Sequence, residues 1–215
     1  MVPPSMPYER YANQYAAFRL HACPDDRAAG LAALDLSHAR HAAEIGCGPG
    51  YYAPVIAARH PAVRVTGIDN SPAQIALARQ RIARGGPRNI RFIRDDVRSL
   101  SQPDGSFDRI VASRLFMVVR EHRRAMAELH RVLAPGGILL IAEPIARPAV
   151  TFADWTRVAM PGEQIFTAAT FAALAFLVPW GACTIWNADG YRYARCQKAA
   201  HSHAKGEITD GDPGR

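Results

Sequence analysis

Apolar and polar positions follow two rhythms along residues 41–144. Short runs with recurring apolar residues at 41–46, 63–69, 89–97, 106–113 and 138–143 have the length and composition of strands. Between them, residues 52–60, 70–86 and 121–133 space their apolar positions as helices do. Residues 70–86 also carry helix punctuation, with Ser71 as N-cap, Pro72 in the first turn, Gln74 placed to complete a capping box and Gly85-Gly86 as a stop. In 121–133 the apolar face holds Ala125, Leu129 and Val132, which leaves Arg123, Arg124 and Arg131 for solvent. Pro135-Gly136-Gly137 ends that helix, and the run ILLIAE after it suits a strand covered on both faces. Strands alternating with helices at these intervals predict an α/β fold with a parallel sheet and right-handed crossovers.

Beyond Pro144 the rhythm changes. Residues 151–159 read as a short amphipathic helix and 167–178 as a wholly apolar one. Residues 182–198 read as an antiparallel hairpin turning around Asn187–Gly190. The final residues, from 199, are polar and turn-rich, the composition of a disordered tail. Residues 1–40, with Tyr8, Tyr11 and Tyr15, read as one or two helices laid over the sheet.

Composition narrows the setting. The 215 residues suit one domain, and the formal charge of +7 is carried almost wholly by arginine, since Lys198 and Lys205 are the only lysines. Arginine in this abundance reflects either amino-acid usage in a GC-rich genome or attraction to an anionic partner. The densest basic block, Arg79 to Arg94, has no acid, and it lacks the interleaved aromatics of a base-stacking surface, so no nucleic-acid partner is expected. Cys23, Cys47, Cys183 and Cys196 form no C-x-x-C pair, which predicts neither a metal site nor a disulfide scaffold. With no charged-then-apolar leader at residue 1, the expected compartment is a reducing cytoplasm. Residues 164–188 carry no charge and several aromatics, which suits core packing, a homodimer interface or peripheral membrane contact.

Chemistry enters at residues 42–52, AAEIGCGPGYY. Gly46, Gly48 and Gly50 follow an apolar run and an acid, Glu44, and a second acid, Asp69, ends the next strand. Glycines so spaced make a tight turn at the carboxyl end of a strand, where open parallel sheets bind ligands. The spacing is not the G-x-G-x-x-G of a nicotinamide enzyme, and a phosphate loop ending in Gly-Lys is absent because no lysine precedes residue 198. A carboxylate at the end of the second strand can accept both ribose hydroxyls of a nucleoside, without saying which nucleoside.

Four segments in order, AEIGCGPGYY, VTGIDNSPAQIALAR, IRFIRDDVRSLSQPDGSFDRIVAS and AMAELHRVLAPGGILLIAEP, together resemble the class I S-adenosylmethionine-dependent methyltransferases of the small-molecule type. The resemblance implies a Rossmann-like, doubly wound, mostly parallel seven-stranded sheet with a C-terminal antiparallel hairpin. It implies a helical cover over 1–40, the catalytic domain over 41–198 and a tail over 199–215. It also implies S-adenosylmethionine as cofactor, with S-adenosylhomocysteine as product. On this footing Glu44, Gly46, Cys47, Gly48 and Gly50 would surround the methionine part, and Asp69 the ribose. Asn70, Asp96 and Val97 would flank the adenine, and Ser113 the departing methyl. Asp95 departs from the glycine that many relatives carry. Arg114 reads either as a substrate clamp or as a solvated loop charge.

Methyl transfer from a sulfonium is an in-line displacement that positioning alone can accelerate, so no triad is required. Where the acceptor must lose a proton, the base candidates are Glu143 and His21, ahead of Tyr15 and His122. Tyr15, Arg114, Phe116 and Met117 are the candidates for acceptor contact, while Tyr51 and Tyr52 either wall the cofactor or pack the first helix. The expected acceptor is a small molecule. Two rival readings stay open: methylation of a lipid head group or isoprenoid at a membrane surface, and a SAM-binding regulatory protein that transfers nothing.

Overall fold

The computed structural model describes residues 13, 16, 17, 25–83, 85–145 and 164–200. The helix expected over 151–159, the tail beyond 200, and Tyr15 and His21 lie outside the described residues.

Seven strands form one sheet: β1 (His41–Ile45), β2 (Arg64–Asp69), β3 (Ile90–Arg94), β4 (Phe107–Ser113), β5 (Leu133–Pro144), β6 (Ala182–Ala188) and β7 (Tyr191–Gln197). Their spatial order is β3-β2-β1-β4-β5-β7-β6. β1 to β5 run parallel, and β7 enters antiparallel between β5 and β6. The chain fills one side of β1 first and then crosses to the other, so the order reverses between β1 and β4. That reversal parts the connecting segments and leaves a crevice at the carboxyl ends of the strands.

Among the described residues the complete helices are α1 (Arg27–Leu34), α2 (Ala53–Arg59), α3 (Pro72–Ile82), α4 (His122–Val132) and α5 (Ala168–Ala175). Alternate residues of each strand point to opposite faces, and the core divides accordingly. Ala42, Val65, Val111 and Leu140 meet Leu34, Ile56, Ile75 and Ala78 from α1 to α3. Ala43, Ile68, Ile110 and Ile141 meet Met126 and Leu129 of α4 and Phe171 and Leu174 of α5. The small Ala42 and Ala43 at the centre of the sheet let both helical layers close in.

The structure corrects three details of the element reading. β5 starts at Leu133, so Pro135-Gly136-Gly137 is an irregularity inside a strand: Phe107 pairs with Leu133 but Arg109 with Ile138. Lys198 closes that bulge from the neighbouring strand, its amide donating to Gly137 and its carbonyl accepting from Gly136. Arg131 is not left to solvent; its guanidinium bonds Glu128, Asp104 and the carbonyls of Leu100 and Gln102, tying α4 to the loop before β4. At α3 the Ser71 hydroxyl accepts from the Gln74 amide as expected, but the Ser71 amide donates to Asp69 Oδ1. The reciprocal half of the capping box thus belongs to Asp69.

Candidate cofactor site

A cavity of about 320 Å³ opens at the crevice. Ile45, Ile68, Val97 and Leu115 give it apolar walls, and residues after β1, β2, β3 and β4 supply its polar groups. The glycine turn forms one side. Gly46, Gly48 and Gly50 all adopt positive φ (73°, 51° and 78°), which L side chains rarely do. A Cβ on Gly46 would also lie 2.8 Å from Leu115 Cδ1 across the cavity mouth. Glycine there keeps a backbone wall close to whatever the cavity holds.

Asp69 ends β2 and fastens to that turn. Its Oδ2 accepts from the Gly48 amide at 2.8 Å and its Oδ1 from Ser71 at 2.9 Å. Burial raises its titration, while these amides favour the charged form. Asn70 lines the cavity beside it. Asp96 lines it too, but its carboxylate is held by Arg98, which sits 2.6 Å away and keeps the carboxyl below its usual range. Arg98 reaches onward to Glu121 at 2.8 Å, so an ion-pair chain joins the loop after β3 to the start of α4. Asp95, which also lines the cavity, fixes that loop by accepting from the Ser101 amide and hydroxyl and from the Asp96 amide.

Several expected residues stand elsewhere. Glu44 does not line the cavity; its two oxygens accept from the amides of Tyr52 and Ala53 and so satisfy the first turn of α2. Cys47 points into the core, where burial pushes its thiol well up. Gly50 packs against Phe92 and Pro54. The Ser113 hydroxyl donates to Asp26 at 2.7 Å, pinning the segment before α1 to the end of β4. Tyr51 and Tyr52 are packing residues, their hydroxyls bonded to Asp25 and to the Asp26 carbonyl. Phe116 and Met117 are buried away from the cavity, Phe116 in the core and Met117 with its carbonyl accepting from the Gln164 amide. His122 bonds the Phe116 carbonyl and packs edge-on against its ring.

Glu143 is also set back from the cavity. It is fully buried at the end of β5, and Oε1 accepts from the Phe116 amide at 2.6 Å. Burial pushes its pKa up to about 8, against the opposing pull of backbone amides at 115–117 and of Arg114. Its carboxyl therefore holds the turn after β4 in place and keeps a proton at neutral pH. Arg114 is buried, lines the cavity and adopts positive φ (56°), so the solvated-loop reading does not hold. Sequence reasoning missed Gln74, Arg98 and Leu115, along with Val118 to Glu121, all of which line the cavity. For Gln74 the signal was present: a buried amide in the first turn of the helix that follows the acid.

Residues 42–137 match the family described as "Methyltransferase domain". Over those residues the chain is similar to class I methyltransferase domains. Among curated relatives, the trans-aconitate 2-methyltransferase of Delftia acidovorans is 37% identical over 56% of this chain and 44% of that protein. The same-named protein of Escherichia coli O139:H28 is 34% identical over 53% of this chain and 43% of that protein. The chain thus spans less than half the length of these relatives. Solved structures share the fold of this chain. One is a Thermotoga maritima SAM-dependent methyltransferase described as a possible histamine N-methyltransferase, with TM-score 0.70 and 18% identity over 90% of this chain and 99% of that one. Another is phosphoethanolamine N-methyltransferase 2 of Haemonchus contortus with phosphomonomethylethanolamine and S-adenosylhomocysteine, with TM-score 0.75 and 14% identity over 93% of this chain and 61% of that one.

The residues lining the cavity fit S-adenosylmethionine, the cofactor that this similarity implies. A close backbone wall of positive-φ glycines, a carboxylate at the end of β2 and apolar surfaces at Val97 and Leu115 are what a methionine tail, a ribose and an adenine require. No helix among the described residues is long and apolar enough to cross a membrane.

Proposed function

We propose that this chain binds S-adenosylmethionine in the cavity and promotes methyl transfer to a small, carboxylate-bearing acceptor. The observation that carries the reading is the glycine turn fastened to Asp69 at the sheet's reversal point. Bound there, S-adenosylmethionine supplies an electrophilic methyl on a sulfonium. Asp69 would accept from the ribose hydroxyls, and the amides of the glycine turn and of Val97 would face polar edges of the cofactor. Arg114 would orient an anionic acceptor, and the buried, protonated Glu143 would hold the turn that presents Arg114 and Leu115. The acceptor class is supported by the trans-aconitate methyltransferases among the relatives and by Arg114 and Arg120 on the cavity wall. Positioning, rather than proton abstraction, is then the main device, because an ionised carboxylate oxygen is already a nucleophile.

The test is calorimetric titration of the protein with S-adenosylmethionine and S-adenosylhomocysteine, followed by turnover with a panel of di- and tricarboxylates. Asp69→Ala is expected to weaken both cofactors by about 10- to 100-fold, the loss of hydrogen bonds to a charged group worth about 1.5–3 kcal/mol. A folded protein that binds neither compound overturns the reading. Binding without turnover of any acceptor favours the regulatory alternative, and turnover of phospholipid head groups alone favours the membrane-surface one.

A further inference from the structure

The outer hairpin holds two cysteines that methyl transfer does not use. β6 and β7 are joined by Asp189 and Gly190 alone, both at positive φ (50° and 78°), the tight turn that matches strand twist. Across such a turn the flanking residues, Ala188 and Tyr191, form a hydrogen-bonded pair. Hydrogen-bonded and non-hydrogen-bonded pairs then alternate along the ladder, and the register runs without a break from Ala188 opposite Tyr191 to Ala182 opposite Gln197. Counting along it makes Cys183 and Cys196 a directly opposed, non-hydrogen-bonded pair. Residues so paired have Cα atoms roughly 4.5 Å apart, inside the roughly 4.4–6.8 Å span of disulfides.

The surroundings distinguish the two thiols. Both point to the face covered by α5, where Cys196 is fully buried and Cys183 is half-buried on the edge strand. They interact directly, so that the hydrogen bond from Cys196 lowers the Cys183 titration and raises that of Cys196. Cys183 is therefore the accessible, more acidic thiol, and Cys196 the sheltered one beside it, the arrangement of an attacking and a resolving cysteine. Cys47 lies buried in the opposite core layer.

We propose that Cys183 and Cys196 are a redox modification site, closing to a reversible disulfide when the protein meets a peroxide. The Cys183 thiolate attacks one peroxide oxygen, forming an S–O bond as the O–O bond breaks and hydroxide leaves. Cys196 then attacks the Cys183 sulfur, forming the S–S bond as the S–O bond breaks. Its thiol proton and the proton first lost by Cys183 complete two waters. Two electrons pass from the sulfurs to the peroxide, and a dithiol reductant reverses the change.

Cys196 lies opposite Leu139, near the middle of β5, whereas the cavity lies at the carboxyl ends of the strands. Oxidation is therefore expected to fasten the sheet's outer edge and leave cofactor affinity unchanged. The experiment treats reduced, full-length protein with hydrogen peroxide and follows it by non-reducing peptide mapping and thermal melting. Expected are a mass lower by two hydrogens, one linked peptide joining Cys183 to Cys196, and full reversal by dithiothreitol. The oxidised form should melt roughly 5–10 °C higher, the scale for closing a short loop in a domain of this size, and Cys183→Ser should abolish that rise. Three results overturn the proposal: an unchanged thiol count, Cys183 driven to sulfinic acid while Cys196 stays a thiol, or linkage of either residue to Cys23, Cys47 or a second chain. Peptide mapping is done on the unsubstituted protein, so its result does not depend on a variant that folds.

Discussion

Asp69 and Glu143 show how differently two acids at strand ends can be used. Asp69 stays at the cavity because the Gly48 and Ser71 amides aim its carboxylate along the crevice. Glu143 is turned inward to the Phe116 amide, with Oε2 given no hydrogen-bond partner among the described residues. Its pKa of about 8 stands far above the ordinary 4.5 because burial disfavours the charge. The folded chain therefore keeps a proton that the unfolded chain gives up, so this contribution to stability is complete below about pH 4.5 and is lost as pH rises through about 8. Melting temperatures taken across that window should fall with rising pH, and Glu143→Gln should flatten the decline because its amide is neutral throughout. An unchanged slope would show that the carboxyl is ionised in the fold. The sequence marked both acids, since both end strands; only packing distinguishes the one facing a ligand from the one holding a turn.

At the scale of elements, α4 is the clearest case of pattern becoming structure. Ala125, Met126, Leu129 and Val132 are all fully buried, while Arg123 on the opposite side is exposed. Leu129→Ala removes a side chain from the middle of that face and should cost about 2–5 kcal/mol, against less than about 0.5 kcal/mol for Arg123→Ala. In a domain of this size that separates the two melting temperatures by roughly 5–15 °C, which calorimetry resolves. Element ends were less legible than element centres. Pro135-Gly136-Gly137 reads as a stop in one dimension, yet Lys198, some sixty residues on, bonds it back into the sheet. Arg131 reads as a surface charge by helical position, and the loop that wraps over it supplies two carbonyls and Asp104 to hold it. Neither Lys198 nor that loop is near in sequence to the group it holds, so no local pattern could name it.

Over the whole molecule, the charge of +7 proves to be largely structural arginine. Within the basic block, Arg79 donates to the Phe92 carbonyl, Arg81 to Pro49 and Gly50, and Arg94 to Asn70. Outside it, Arg109, Arg192 and Arg195 donate to Asp35, Phe166 and Ala33. These guanidiniums fasten loops to elements, and their positive field persists. With an anionic acceptor, kcat/KM should fall several-fold between roughly 20 mM and roughly 300 mM salt while kcat changes little, as screening removes steering. Flat kcat/KM across that range would count against an anionic acceptor. The sequence by itself determined the alternation of strands and helices, the glycine turn and the acid that follows it, because each rests on short-range periodicity and on φ angles open mainly to glycine. Tertiary structure alone decided which side chains reach the cavity. Gln74, Arg98 and Leu115 line it while Glu44, Cys47 and Phe116 turn away, since that depends on which face of the sheet each helix covers and on partners far along the chain.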